Sequence, residues 1–275
     1  MTLTTQQRFK SANGLAYTKC GSGPAIVLVH GVGLCAQAWL NQTSDLCKNN
    51  TVYAIDMPGH GESELLAEAN ADLDEYVDAI AQWIDEELNT AVIMMGHSMG
   101  SMIALRFAIA YPLLCRGVVA LNSVYRRTDQ ARIAVQQRAQ SMLDNPELDR
   151  VSTPILRWFG EAPTGHIKQM AQLCASWLSE APAIGYAKAY DIFSRNDGPL
   201  DSELASIAVP VAFITGDLDS NSSGEMSQKM AHLTPQGSAH VIENSRHMVQ
   251  LTHPDQINQL LLSFVNECQQ VHTGV

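Results

Sequence analysis

The sequence predicts an α/β fold, a mostly parallel central sheet with helices on both faces and a helical cap inserted late in the chain. Three observations carry this expectation. Short, wholly apolar runs such as Ala25–Val29 and Ala91–Met95 recur and end in glycine-containing turns. Such runs, without polar alternation, read as strands buried on both faces. Segments at helical spacing separate them, and that alternation belongs to parallel sheets covered by helices. The rhythm breaks from Tyr125 to about Leu200, where helical segments are punctuated by Pro146, Pro154, Pro163 and Pro182, and it resumes at Val209. The expected organisation is core at 1–124, helical cap at 125–200 and core again at 201–275.

Taken in order, Gln7 to Cys20 reads as two strands joined at Asn13-Gly14, a two-residue hairpin signal. After the turn Gly21–Pro24, the strand Ala25–Val29 ends in His30-Gly31-Val32-Gly33. A helix is expected over Ala38–Lys48 and a strand over Thr51–Asp56. The loop Met57-Pro-Gly-His-Gly-Glu-Ser63 follows and reads as a structural turn. Leu73, Tyr76, Val77, Ile80 and Ile84 fall at helical spacing and predict an amphipathic helix over Ala71–Leu88. Next come the strand Ala91–Met95, the pentapeptide Gly96-His-Ser-Met-Gly100, and a helix that stops before Pro112. Gly117–Asn122 is a further buried strand. Beyond the cap lie a strand Val209–Gly216, a helix Ser223–Leu233, a strand Ser238–Ile242 and a closing helix Pro254–Cys268.

Composition narrows the partners. The 275 residues carry a formal net charge of −11, which argues against nucleic acid or an anionic membrane as a main partner. The first ten residues hold no apolar core of a signal peptide, and no apolar run reaches the ~20 residues that span a bilayer. The six cysteines show no CxxC spacing, so reduced thiols in a cytoplasmic protein are expected rather than a disulfide framework or a zinc site. A homodimer is compatible with these features.

The chemistry centres on Ser98. Strand, Gly-x-Ser-x-Gly and helix in succession make a nucleophile elbow, in which the serine sits on a strained turn with its hydroxyl above the sheet. Gly96 and Gly100 carry no Cβ, so strand and helix can approach closely. The free N–H groups and dipole of the following helix favour developing negative charge. A serine hydroxyl needs an oriented base. An acid is expected after a later strand and a histidine after the last one. Val209–Gly216 leads into Asp217-Leu-Asp219, where both acids are available and Asp219 is favoured. The final strand leads through Glu243-Asn-Ser-Arg to His247. Two backbone donors should hold an oxyanion, Met99 N–H and an amide of His30–Gly33, with Val32 the candidate. Of the other histidines, His232 and His240 read as structural, His253 and His272 as surface and His97 as packing. His166 is a candidate pocket residue. No metal or cofactor is required.

The motifs His30-Gly31, Asp56-Met-Pro-Gly-His-Gly-Glu-Ser63, Gly96-His-Ser-Met-Gly100, Gly216-x-x-Asp219 and His247 together resemble those of α/β-hydrolase-fold enzymes over essentially the full chain. The resemblance implies a helical cap and an acid at Asp219. Leu156-Arg-Trp-Phe159 and Ile184-Gly-Tyr-Ala187 resemble cap segments of 3-oxoadipate enol-lactonases and related carboxylesterases. The elbow departs from that group, with His97 where leucine is usual and Ser101 where a third glycine is common. The expectation is a serine hydrolase of a small carboxylic ester or lactone, with Trp158 and Phe159 shaping an apolar pocket. The alternatives are a carbon–carbon bond hydrolase of ring-cleavage products, a cofactor-free haloperoxidase, and a ligand receptor on the same fold. Basic residues facing a substrate carboxylate, with Arg157 and Arg246 as candidates, would favour the first. Enzymes that need a carboxylate nucleophile are disfavoured by Ser98.

Overall fold

The structure, a computed structural model, describes residues 7–67 and 71–273, with side chains as far as Gln270. The expectation for the His272 side chain lies outside the described residues. Eight strands form one sheet: β1 (Arg8–Lys10), β2 (Ala16–Cys20), β3 (Ala25–Val29), β4 (Thr51–Ile55), β5 (Val92–His97), β6 (Cys115–Leu121), β7 (Val211–Gly216) and β8 (Gly237–Ile242). Their spatial order is β1-β2-β4-β3-β5-β6-β7-β8. β1, β2 and β4 pair antiparallel, and every pairing from β4 to β8 is parallel. β3, β5 and β7 are buried at every residue, as their unbroken apolar runs require. The first hairpin turns more widely than Asn13-Gly14 suggests. Its loop is residues 11–15, closed by Ser11 N–H to Leu15 O at 2.8 Å, with Gly14 at φ +85°.

Eleven helices complete the described chain: α1 (Leu40–Leu46), α2 (Leu73–Trp83), α3 (Met99–Ala110), α4 (Asp129–Asp144), α5 (Ser152–Phe159), α6 (Gly165–Glu180), α7 (Ala183–Arg195), α8 (Asp201–Ser206), α9 (Gly224–Leu233), α10 (Val249–Thr252) and α11 (Pro254–Thr273). A 3-10 turn, Ala36–Trp39, leads into α1, and a π turn, Ile84–Leu88, ends α2. Asp72 caps α2, accepting from Asp74 N–H while Glu75 reaches back to the Asp72 N–H.

The sheet separates two cores. Side chains of α2, α3 and α9 join one face, with Trp83, Phe107 and Phe213 among the buried groups. α1 and α11 cover the other, around Trp39, Leu261 and Phe264. Helices α4 to α8 lie between β6 and β7 in sequence. Buried residues of α4 to α7 extend the first core, and α7 packs on α4 as α5 packs on α6. No described helix is long and apolar enough to cross a membrane. The parallel strands bring the loops after β3, β5, β7 and β8 to one edge, where open α/β sheets collect their functional groups.

Candidate active site

The turn after β5 shows why its residues are what they are. Ser98 has φ +55° and ψ −120°, a conformation that costs a non-glycine residue on the order of 1–3 kcal/mol. Its neighbours enforce it. A Cβ on Gly96 would stand 2.0 Å from Gly100 O, and one on Gly100 2.3 Å from Val29 O. Ser98 N–H donates to Leu121 O at 2.9 Å, tying the turn to β6.

His247, in the loop after β8, lies with Nε2 3.0 Å from Ser98 Oγ. Its Nδ1 lies 2.7 Å from Asp219 Oδ2. With Nδ1–H donating to the carboxylate, the Nε2 lone pair is left to accept the Ser98 hydroxyl proton. Asn122 Nδ2 also donates to Asp219 Oδ2 at 2.8 Å, and Asn221 N–H donates to Oδ1 at 2.9 Å. Burial alone would raise the Asp219 carboxyl, but His247 beside it and these two donors hold it below its usual value. Asp217 plays a separate part. Its Oδ1 accepts from Ser245 N–H at 3.1 Å, bracing the loop that carries His247. The choice between the two acids is thus a matter of which faces the imidazole.

Val32 and Met99 amides flank Ser98, one on the loop after β3 and the other at the first position of α3. None of the described hydrogen bonds uses either amide. Gly31 lets the β3 loop close on the serine, since a Cβ there would stand 2.9 Å from Ser98 Cβ.

A cavity of about 20 Å³ opens onto Ser98 and His247. Cap residues form much of its wall. Trp158 stacks on the His247 ring at 5.8 Å, and Tyr186, Tyr190 and Phe193 of α7 line the far side. Phe159 does not line it. One residue further along α5 turns the side chain by about 100°, and Phe159 is buried in the core instead. Arg157 does line the cavity; it is half-buried, its Nε is buried without a partner, and no described residue pairs with its guanidinium. Arg246 is exposed. A groove of about 880 Å³ between α2 and Tyr111–Leu114 is far larger, but it shares no residue with this cavity and is lined by no serine, cysteine or histidine.

Two further expectations need correction. His97 is more than packing: its Nε2–H donates to the His247 carbonyl at 2.8 Å, and the ring lines the cavity. Burial, then repulsion from His247, lowers it to about 3 and keeps it neutral. His166 stays out of the cavity and donates from Nε2 to Leu251 O at 2.8 Å, joining α6 to α10. Asn122 and Asn221 are functional neighbours that the sequence does not single out. A polar residue closing the buried run of β6 is the available signal for Asn122.

Residues 26–260 match the model of the alpha/beta hydrolase family. The chain belongs to that family. It is 40% identical over 253 residues, 90% of this chain and 93% of the relative, to (E)-2-((N-methylformamido)methylene)succinate hydrolase of Acinetobacter baylyi. Among solved structures, a thermophilic esterase from Thermogutta terrifontis superposes with a TM-score of 0.83 at 22% identity, covering 95% of this chain and 99% of that one. The enol-lactonase of Burkholderia xenovorans superposes with a TM-score of 0.78 at 19% identity, covering 92% and 96%. The last two are likenesses of fold.

Proposed function

We propose that this protein is a serine hydrolase of a small, carboxylate-bearing ester, lactone or amide. The observation that carries the reading is Ser98 Oγ, His247 Nε2 and Asp219 in one hydrogen-bonded line beneath an unpaired arginine.

His247 takes the Ser98 proton as Oγ attacks the acyl carbon, and Asp219 stabilises the imidazolium that forms. The Val32 and Met99 amides receive the charge on the carbonyl oxygen. His247 then protonates the leaving alcohol or amine, and the acyl-enzyme forms. Water, deprotonated by the same histidine, releases the acid and restores Ser98.

Arg157 supports the anionic part of this reading. In a chain of net charge −11, a half-buried guanidinium without a carboxylate partner beside the nucleophile suits a substrate carboxylate. Arg138 adds positive charge nearby, 5.9 Å over the ring of Tyr190, which lines the same cavity. The Acinetobacter relative, whose name describes a succinate carrying an N-methylformamido group, agrees in charge. The ring-cleavage alternative would use the same arginine, so cleavage of a dienoate carbon–carbon bond belongs in the same assay.

The test compares succinate monoesters and N-acyl enamine succinates with a neutral p-nitrophenyl ester and a ring-cleavage dienoate. Wild type should prefer the succinate derivatives. Ser98→Ala should lose about 10⁶-fold in kcat. Arg157→Gln should raise KM for the acidic substrates roughly 10- to 100-fold, as expected for a lost charged hydrogen bond, with a smaller effect on the neutral ester. Equal loss on both substrates would sink the anionic reading, and full activity in Ser98→Ala would sink the serine mechanism.

A further inference from the structure

We infer that His30 and His60 form a reciprocal lace whose function is to fix the two peptide units on either side of Val32, so that its amide points at the oxyanion. The inference rests on the serine hydrolase reading and deepens it. His30 Nδ1–H donates to Gly31 O at 2.8 Å, and Leu34 N–H donates to the same oxygen at 3.2 Å. Gly31 C=O and Val32 N–H belong to one trans peptide and point in opposite directions. Anchoring the oxygen from behind therefore aims the N–H forward, beside Ser98. The next peptide is held too, because Gly33 N–H donates to His60 Nε2 at 3.0 Å.

The two loops lace each other. His30, at the end of β3, accepts Met57 N–H on its Nε2 at 2.9 Å. His60, on the loop after β4, donates from Nδ1 to Pro58 O at 3.2 Å. Each imidazole must be the neutral Nδ1–H tautomer to make both of its bonds. The rings meet edge to face at 5.3 Å and have no exposed surface. Burial lowers His60 to about 4, and burial together with His60 holds His30 lower than its ordinary value.

The loop from Asp56 to Ser63 is thus the rear wall of the oxyanion site. Asp56 Oδ1 accepts Ala36 N–H at 2.7 Å, closing the far end of the 30–36 loop, and Oδ2 pairs with Arg8 and accepts Glu62 N–H at 2.9 Å. Gly61, at φ +51°, leaves room for that carboxylate, which a Cβ would meet at 2.2 Å. Neither histidine lines the substrate cavity, so both are positioning residues.

The experiment measures kcat, KM and inhibition by a trifluoromethyl ketone, whose hemiketal oxygen mimics the oxyanion, for wild type, His60→Gln and His60→Leu. Glutamine can accept the Gly33 N–H and leucine cannot. The Leu variant should lose roughly 10- to 100-fold in kcat with KM within about threefold, since small misplacements of catalytic groups cost about this much. Ketone affinity should fall in parallel, and the Gln variant should regain most of both. Should the Leu variant melt earlier yet keep its kcat and ketone affinity, the lace is mere scaffold and the inference is overturned. If the variants do not fold, ¹H–¹⁵N correlation spectra of the wild-type imidazoles decide. Two neutral Nδ1–H tautomers at pH 6–8 support the lace, and an Nε2–H tautomer at either ring refutes it. Failure of the hydrolase reading shows separately, as wild-type activity that survives Ser98→Ala.

Discussion

At the scale of single residues, the two aspartates after β7 stand two residues apart in the turn and meet different partners. Asp219 is buried against His247, whereas Asp217 is exposed and holds the Ser245 amide. Asp219→Asn should lower kcat about 10⁴-fold, the loss seen when a triad acid can no longer fix the imidazole tautomer. Asp217→Asn should act through stability, since it leaves the imidazole partner intact. Steady-state kinetics beside thermal melting separates the two outcomes. Ser98 and His247 are legible in the sequence because strand, turn and chain order constrain them strongly. The roles of His30, His60 and His97 are not, because each depends on which backbone group of a distant loop meets the ring. Arg157, beside the exposed Arg246, is legible only as one of two candidate carboxylate-binding arginines. Its lack of a partner is a fact of three dimensions.

At the scale of elements, the buried strands can be read directly, because a strand covered on both faces has no polar alternation to obscure it. β8 is found despite its mixed burial, which marks it as an edge. The four-residue α10 and six-residue α8 are too short to display a helical period, and neither is anticipated from the sequence. Helix α5 shows the same limit in another form: Trp158 and Phe159 are equivalent in composition but face different surroundings. Where cap meets core, Gly185 of α7 lies against Gly59, and a Cβ on Gly185 would stand 1.8 Å from Gly59 O. Gly185→Ala should therefore push α7 away from the loop after β4. Overpacking of this kind costs about 1–3 kcal/mol. A melting temperature lowered by several degrees is expected, and an unchanged melt would show that the seam yields at no cost.

At the scale of the whole molecule, acid stability follows from three histidines held neutral by burial. His60 and His97 fall to about 4 and about 3 from an ordinary 6.5, and His30 falls with them. Below pH 6.5 the unfolded chain binds protons at these sites and the folded chain does not, so stability is lost as pH falls. Each such site contributes a slope of about 1.4 kcal/mol per pH unit between its unfolded and folded values. Asp219, lowered in the folded state, adds a further loss once pH drops through its folded value. Chemical denaturation from pH 7 to pH 4 should show a falling midpoint, with a shallower decline in His60→Gln. A flat midpoint across that range would contradict the neutral assignment.

The cavity above Ser98, about 20 Å³, has room for roughly a single water molecule. That space, walled by Trp158 of α5 and by Tyr186, Tyr190 and Phe193 of α7, is tight rather than sealed, since Ser98 keeps part of its surface open. On the hydrolase reading each cycle contains two passages, substrate inward and acid outward, both between α5 and α7. Those movements displace solvent, whereas proton transfer between Ser98 and His247 does not. Turnover should therefore slow as sucrose thickens the medium, and a rate indifferent to viscosity would mean that chemistry, not passage, sets the pace.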